Sequence, residues 1–279
     1  MNRRTGAAWI TAACLLVFAV QGDGCANLEA IREFAAISAR SAEYTGLVDQ
    51  YVDTPVRQKR FQPDDQQDRL EQMRRLRASQ RERLLLRQAL VAEYMDALGK
   101  LAADEIVDYD SGIDDLGRAV VANNFAGEHD ADAFASLTKT LLRAATDTWR
   151  QKQLQKLITE SNAPFQEVLG ALKRIVDQDF AGDIENEKLA MTKHYETLIR
   201  SSNDRAGISA LEEWRDARFA EADARARAIS SYSQVLSTIA SGHQQLYDRR
   251  DDLGSPELIR QLKLYAKDLG KLVNALRSP

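Results

Sequence analysis

Apolar residues recur every three or four positions along nearly the whole chain, and this spacing predicts long amphipathic α-helices. A first helix is expected over residues 26–53, with Leu28, Ile31, Phe34, Ala35, Ala42, Leu47, Val48 and Tyr51 on one face. Residues 54–63, opened by Thr-Pro and closed by Gln-Pro, read as a turn. A second helix begins at Asp64 or Asp65, where acids suit the helix N-terminus, and runs to about residue 105. At ~1.5 Å per residue that span is roughly 63 Å, the length of a rod. A short helix is expected over 113–123, capped by Asp110 or Ser111.

A long helix follows from 130 or 131 to about 162, and Pro164 is expected to kink or break it. A further helix spans 164–200, with a bend at Ala181-Gly182-Asp183. After a polar turn at 201–208, a helix over 209–252 carries Leu211, Trp214, Ile229, Tyr232, Leu236, Ile239, His243 and Leu246 at near-heptad spacing. Ser255-Pro256-Glu257 restarts the chain in a last helix, with Ser255 as cap and Pro256 as its first residue. No stretch alternates with period two. The expected fold is all-α: an elongated bundle of long antiparallel helices with coiled-coil-like packing. Residues 25–279 form a single helical domain in this reading, with the one candidate sub-boundary near 108–130. All but one of the prevalent residue types, Ala, Leu, Arg, Glu, Asp and Gln, have high helix propensity, the exception being Asp, and none of the five prolines argues against the assignment.

The first residues follow another pattern. Arg3 and Arg4 precede an apolar run from Ala7 to Val20, which Gln21 and Asp23 end short of the ~20 residues a membrane span needs. This is the form of a signal peptide over residues 1–24. Its exit, Gly24-Cys25, resembles that of the bacterial lipoproteins. The resemblance implies cleavage before Cys25, lipidation of its sulfur and acylation of the new N-terminus. It also implies a place in the cell envelope, and Ala26 after the cysteine leans towards the outer membrane. Gly22 and Asp23 depart from the usual residues of that class, so ordinary cleavage after Ala26, giving a secreted or soluble periplasmic protein, stays open. The chain has two cysteines, and Cys14 lies inside the leader, so Cys25 is the only thiol a processed chain could keep.

Charge and chemistry narrow the function classes. The net charge is −4, and removing the leader's Arg3, Arg4 and Asp23 makes it more acidic, which argues against a nucleic-acid partner. Arg69, Arg74, Arg75, Arg77, Arg81, Arg83 and Arg87 crowd the second helix, with Glu71 and Glu82 among them. They read first as a solvated face with local ion pairs and second as a polyanion site. Arg57, Lys59 and Arg60 beside Phe61 read first as a solvated loop and second as a contact for lipid headgroups or a phosphate.

The acidic stretch Asp108, Asp110, Asp114 and Asp115 matches a calcium loop poorly: Gly112 is a place early, and Ala119 stands where a bidentate Glu belongs. Glu128, His129, Asp130 and Asp132 have ligand-type side chains but read equally as a turn capped by Asp130. His243 and His194 read first as hydrogen-bonded core residues. No phosphate loop, zinc spacing or nucleophile elbow is present in the sequence, so no catalytic residue, metal or cofactor is expected.

The expected function is that of an anchored envelope protein working through protein–protein or envelope-surface contacts. Its partners would be membrane lipid, through acylated Cys25, and an unidentified envelope protein. A periplasmic module binding a small ligand or ion is the alternative, and an enzyme the third reading. Cys25→Ser is expected to abolish metabolic labelling with palmitate and to shift the protein out of the membrane fraction.

Overall fold

The computed structural model describes residues 23–277 apart from 109, 123 and 126, and the side chains of 28–276 apart from the same three. The leader and the lipidation assigned to Cys25 lie outside the described side chains. Of the structure, 87% is helical, and no strand occurs among the described residues. The helices are α1 (Asp23–Ala42), α2 (Thr45–Val52), α3 (Thr54–Gln58), α4 (Gln67–Ala102), α5 (Ser111–Val121), α6 (Ala131–Thr146), α7 (Leu154–Arg174), α8 (Ala181–Ser201), α9 (Arg205–Asp248) and α10 (Pro256–Arg277). The expected bundle of long helices is therefore the fold, with several boundaries moved.

Two long helices organise the packing. α4 is covered by α1, α2, α3, α5, α6 and α7, and α9 by α7, α8 and α10, while α1 lies between α4 and α10. One apolar core runs through all of them but α3, from Phe34 and Leu47 through Tyr94 and Phe134 to Leu236 and Leu269. α5 belongs to it: Ile113 and Leu116 are buried, and Phe125 after it stacks on Phe134 at 3.9 Å.

The first expected helix is two. α1 stops at Ala42, and Tyr44 leaves helical geometry. No proline or glycine precedes this break, and the bonds that fix it are tertiary. The Tyr232 hydroxyl donates to the Ala42 carbonyl at 2.7 Å, and Gln88 donates to Tyr232 at 2.9 Å and to the Tyr44 carbonyl at 3.3 Å. Tyr44 donates to the Leu276 carbonyl at 3.0 Å, which ties α10 to the same point. The expected turn at 54–63 is largely helical, because Thr54-Pro55 starts α3, where proline's missing N–H costs nothing.

Two helices end in Schellman turns without glycine. At the end of α4, Asp104 takes φ 59° while Glu105 N–H donates to Lys100 O at 2.8 Å. At the end of α6, Thr148 takes φ 48° while Trp149 N–H donates to Ala144 O at 3.0 Å. A β-branched residue is strained there. Trp149 is buried, held between Arg143 and Lys156, which offsets the strain. The break expected at Pro164 therefore falls at 147–150 instead, and Pro164 sits inside α7. Continuing the helix through Pro164 puts Leu157, Ile158, Phe165, Val168 and Leu169 on one buried face, and that burial outweighs the lost hydrogen bond.

The bend expected at 181–183 lies just earlier, as a π-helical turn at Ile175–Phe180. Its cause is the apolar spacing. Leu172, Val176, Phe180 and Ile184 recur every four residues, more than the 3.6 of an α-helix, and the wider π turn keeps them on one face.

Gly242 of α9 is a point of close approach. A Cβ there would overlap the ring of Phe34, which is wholly buried in α1, whereas nothing lies near a Cβ at Gly182. Gly242→Ala is expected to destabilise by about 1–3 kcal/mol through overpacking. Gly182→Ala is expected to stabilise by about 0.5–1 kcal/mol through helix propensity. Urea unfolding at neutral pH reads both.

Candidate functional site

The π turn borders a charged region where α2, α3, α4, α8 and α9 converge. α4 supplies it. Leu70, Arg77, Leu84, Val91 and Leu98 follow one another at intervals of seven, and all are buried. Arg77 and Arg87 thus lie on the buried side of α4. The solvated-face reading is corrected for these two, while Arg74 and Arg75 do sit outside, paired with Glu71.

Arg77 donates to Asp183 of α8 at 2.7 Å. Its guanidinium also lies 4.1 Å over the ring of Tyr51, and that ring stacks on Phe180 of the π turn at 4.1 Å. Burial raises the Asp183 carboxyl against the opposing pull of Arg77, and burial pushes the Tyr51 phenol up to about 12. One level further along α8, Glu187 accepts from Arg57 of α3 at 3.2 Å and from Arg225 of α9 at 2.8 Å. The loop expectation for Arg57 is corrected here, since α3 turns it inward onto this carboxylate.

Arg87 forms the second centre. It donates to Asp130 at 2.6 and 2.8 Å and to Glu128 at 3.1 Å, with Phe125 beneath its guanidinium at 4.8 Å. Burial works to lower the Arg87 pKa, but the two carboxylates outweigh it and raise it. Asp130 precedes α6 in the capping position but makes no side-chain cap bond, because its carboxylate is turned to Arg87. His129 lies apart, exposed, 3.7 Å from Glu167.

Between the two centres a cleft of about 130 Å³ opens, lined by Tyr51, Gln80, Arg83, Arg87, Glu128 and Asp179. Tyr51 donates to Gln80 at 3.3 Å across it. Cations and carboxylates balance on its walls, an arrangement that suits recognition of a small group bearing both charges. No side chain in the lining pairs a nucleophile with a base. A second, more apolar groove of about 440 Å³ runs between α4 and α5, over Leu85, Leu86, Ala89, Leu116 and Ala119.

The acidic stretch 108–115 is used structurally. Asp110 caps α5 by accepting from Ile113 N–H at 3.1 Å, and Asp114 and Asp115 pair with Arg118. Beside this cap, burial and then the neighbouring Asp110 and Asp96 push the Glu93 carboxyl up to about 7. Among the described residues no group of three His, Asp, Glu or Cys is placed to hold a metal ion. His194 lies between Phe61 and Tyr195.

His243 is at the centre of the α4–α7–α9 seam, wholly buried among Tyr94 and Phe165. Asn162 donates through its amide nitrogen to Gln244 at 3.2 Å, which leaves its oxygen for the Nδ1–H of His243 at 3.0 Å. Nε2 then accepts from the Tyr94 hydroxyl at 2.5 Å. Both ring nitrogens are satisfied in the neutral form, and burial pushes the imidazole down to about 3. A folded-state pKa below the unfolded ~6.5 means that the unfolded chain takes up a proton the native state refuses. The stability contributed by neutral His243 is complete above pH ~6.5 and falls as pH drops towards 3. Between pH 6.5 and 4 wild type is expected to lose up to ~1.4 kcal/mol per pH unit more than His243→Gln, read as the difference between their urea-unfolding curves.

No protein-family model, no curated protein and no solved structure matches this chain, so its function is argued from its own sequence and geometry.

Proposed function

We propose that this chain is an exported, lipid-anchored helical-bundle protein of the bacterial cell envelope, and that it works by docking a partner protein on the hairpin of α8 and α9. One observation carries the docking surface: Trp214 on α9 is 62% exposed. An exposed tryptophan leaves a large apolar area in water, and tryptophan is prominent among residues that dominate binding energies.

The placement of Trp214 supports the same reading. α10 ends near Tyr44 and Tyr232, so the first half of α9 extends past it with α8 as its long partner. Glu187–Arg225 and Lys188–Asp223 set the antiparallel register of this pair. That register brings Leu198, also exposed, level with Trp214. The result is an arm two helices thick with an apolar spot near its end. Among the described residues no helix is long and apolar enough to cross a membrane, so attachment in this proposal falls to Cys25.

The balanced charged cleft beside the π turn favours a second reading, a module holding a small polar ligand, since π turns are frequent at functional sites.

A photocrosslinking residue at position 214, tested in intact cells, is expected to trap one envelope protein. Leu198→Asp is expected to reduce that adduct about tenfold or more. A folded, abundant protein that gives no adduct at 214, together with saturable binding of a small zwitterion that Arg83→Gln removes, would replace the docking reading with the second.

A further inference from the structure

A pocket of about 180 Å³ lies where the turn after α3 meets α4 and α8. Its polar walls carry Arg69 from α4, Lys193 and Asn186 from α8, and Gln62 and Gln66 from the turn between α3 and α4. The pocket lining contains no carboxylate. This contrasts with the balanced cleft by the π turn, in a chain whose acids outnumber its bases.

The pairing pattern sharpens the contrast. Along α4 and α8 the arginines and lysines are paired with acids: Arg74 and Arg75 with Glu71, Arg77 with Asp183, Arg81 with Asp49, Lys188 with Asp223, Arg200 with Glu196. Arg69 and Lys193 have no ion-pair partner among the described residues, and they face the same cavity from two helices. Asp64, Asp65 and Asp68 are exposed; they lie outside the lining, as do Glu71, paired with Arg74, and Glu196, paired with Arg200. Lys59 and Arg60 stand exposed on the adjoining 3₁₀ turn, and add positive potential at the mouth.

The volume is far above the ~10–15 Å³ a single water needs, and it is ample for a phosphate-sized group. Two unpaired cations and the carboxamides of Gln62, Gln66 and Asn186 supply charge together with N–H donors that can surround a tetrahedral oxyanion. The fourth carboxamide of the lining, Gln58, donates to the Asp183 carbonyl, and no acid opposes the anion from the walls.

We propose that this pocket binds a phosphate group, with Arg69 and Lys193 neutralising its charge and Gln62, Gln66 and Asn186 donating to its oxygens. A phospholipid headgroup and a free phosphate or phosphate monoester share this chemistry, and the test separates them. The site is distinct from the docking arm and does not depend on it.

The full chain is titrated with inorganic phosphate by calorimetry, and is floated with vesicles of phosphatidylglycerol or of phosphatidylcholine, the latter reading any contribution of the leader alone. The double variant Arg69→Gln, Lys193→Gln is compared with wild type and with Arg74→Gln, an exposed α4 position outside the pocket. Circular dichroism confirms that all three are equally helical. The double variant is expected to weaken anion binding about tenfold or more, while Arg74→Gln leaves it unchanged. Saturable binding of inorganic phosphate with no excess flotation on phosphatidylglycerol assigns the site to a soluble phosphate. Excess flotation on phosphatidylglycerol that the double variant removes assigns it to a headgroup. Wild type that binds neither probe, or a double variant that binds as wild type does, overturns the proposal.

Discussion

Two guanidinium groups carried into the core by α4 constrain the rest of the structure. A buried cation without a partner is among the most destabilising features a core can hold, so every element around Arg77 and Arg87 must bring a carboxylate to the right place. For Arg87 that element is the segment leading into α6, which gives up the cap function of Asp130 to supply it. For Arg77 it is the first turn of α8, and Asp183 reaches its place there directly after the π turn. Tyr51 and Phe180 fill the space beside the Arg77 guanidinium with flat rings, so the pair is enclosed by matter that neither competes for its hydrogen bonds nor admits water freely. Such pairs are weak sources of net stability but strong selectors of arrangement, because any helix register that leaves one charge unmatched is penalised.

The same demand for satisfied groups explains how the helices stop. Glycine is the usual terminator, yet α4 and α6 end with Asp104 and Thr148 in left-handed geometry. The two turns support each other: Arg150 donates to the Asp104 carbonyl at 2.9 Å, and the Gln151 N–H donates to the Asp104 carboxylate at 3.2 Å. The break after Ala42 is held by the Gln88 amide of α4, the Tyr232 hydroxyl of α9 and the Leu276 carbonyl of α10. In each case the strained or open backbone is stabilised by residues remote in the chain.

Outside the core, charge is distributed in two ways. Most exposed cations on α4 and α8 are matched by acids one helical turn away, pairs that contribute little each but keep the surface mixed. Arg69 and Lys193 escape that matching and converge on one cavity, while Trp214 of α9 and Leu198 of α8 leave apolar area in water. Unpaired charge that converges on a cavity, and apolar area left in water, are what these two places can offer a second molecule.

Apolar spacing alone determined that the chain is helical, most of the residues that line its seams, and where α4, α5, α9 and α10 lie to within a few residues, because a stripe recurring every 3.6 positions must be buried to be stable. Trp214 and Leu198, on the same stripes in sequence, are exposed instead. A cap at Asp110 or Ser111 and the start at Pro256 were legible as local chemistry; Asp110 makes the cap, while the Ser255 hydroxyl, expected to cap the last helix, makes no hydrogen bond. The sevenfold spacing of Leu70, Arg77, Leu84, Val91 and Leu98 carried the signal that Arg77 is buried, but composition masked it: in a run of seven arginines nothing local distinguishes an inward one from an outward one. Arg57 gave no such signal, and its carboxylate partner Glu187 lies 130 positions away. The breaks at 43–44 and 147–150, the continuity through Pro164 and the π turn were likewise settled only by the tertiary structure. Each sets a local backbone cost against burial or hydrogen bonds supplied from elsewhere, and that balance exists only once the helices have met.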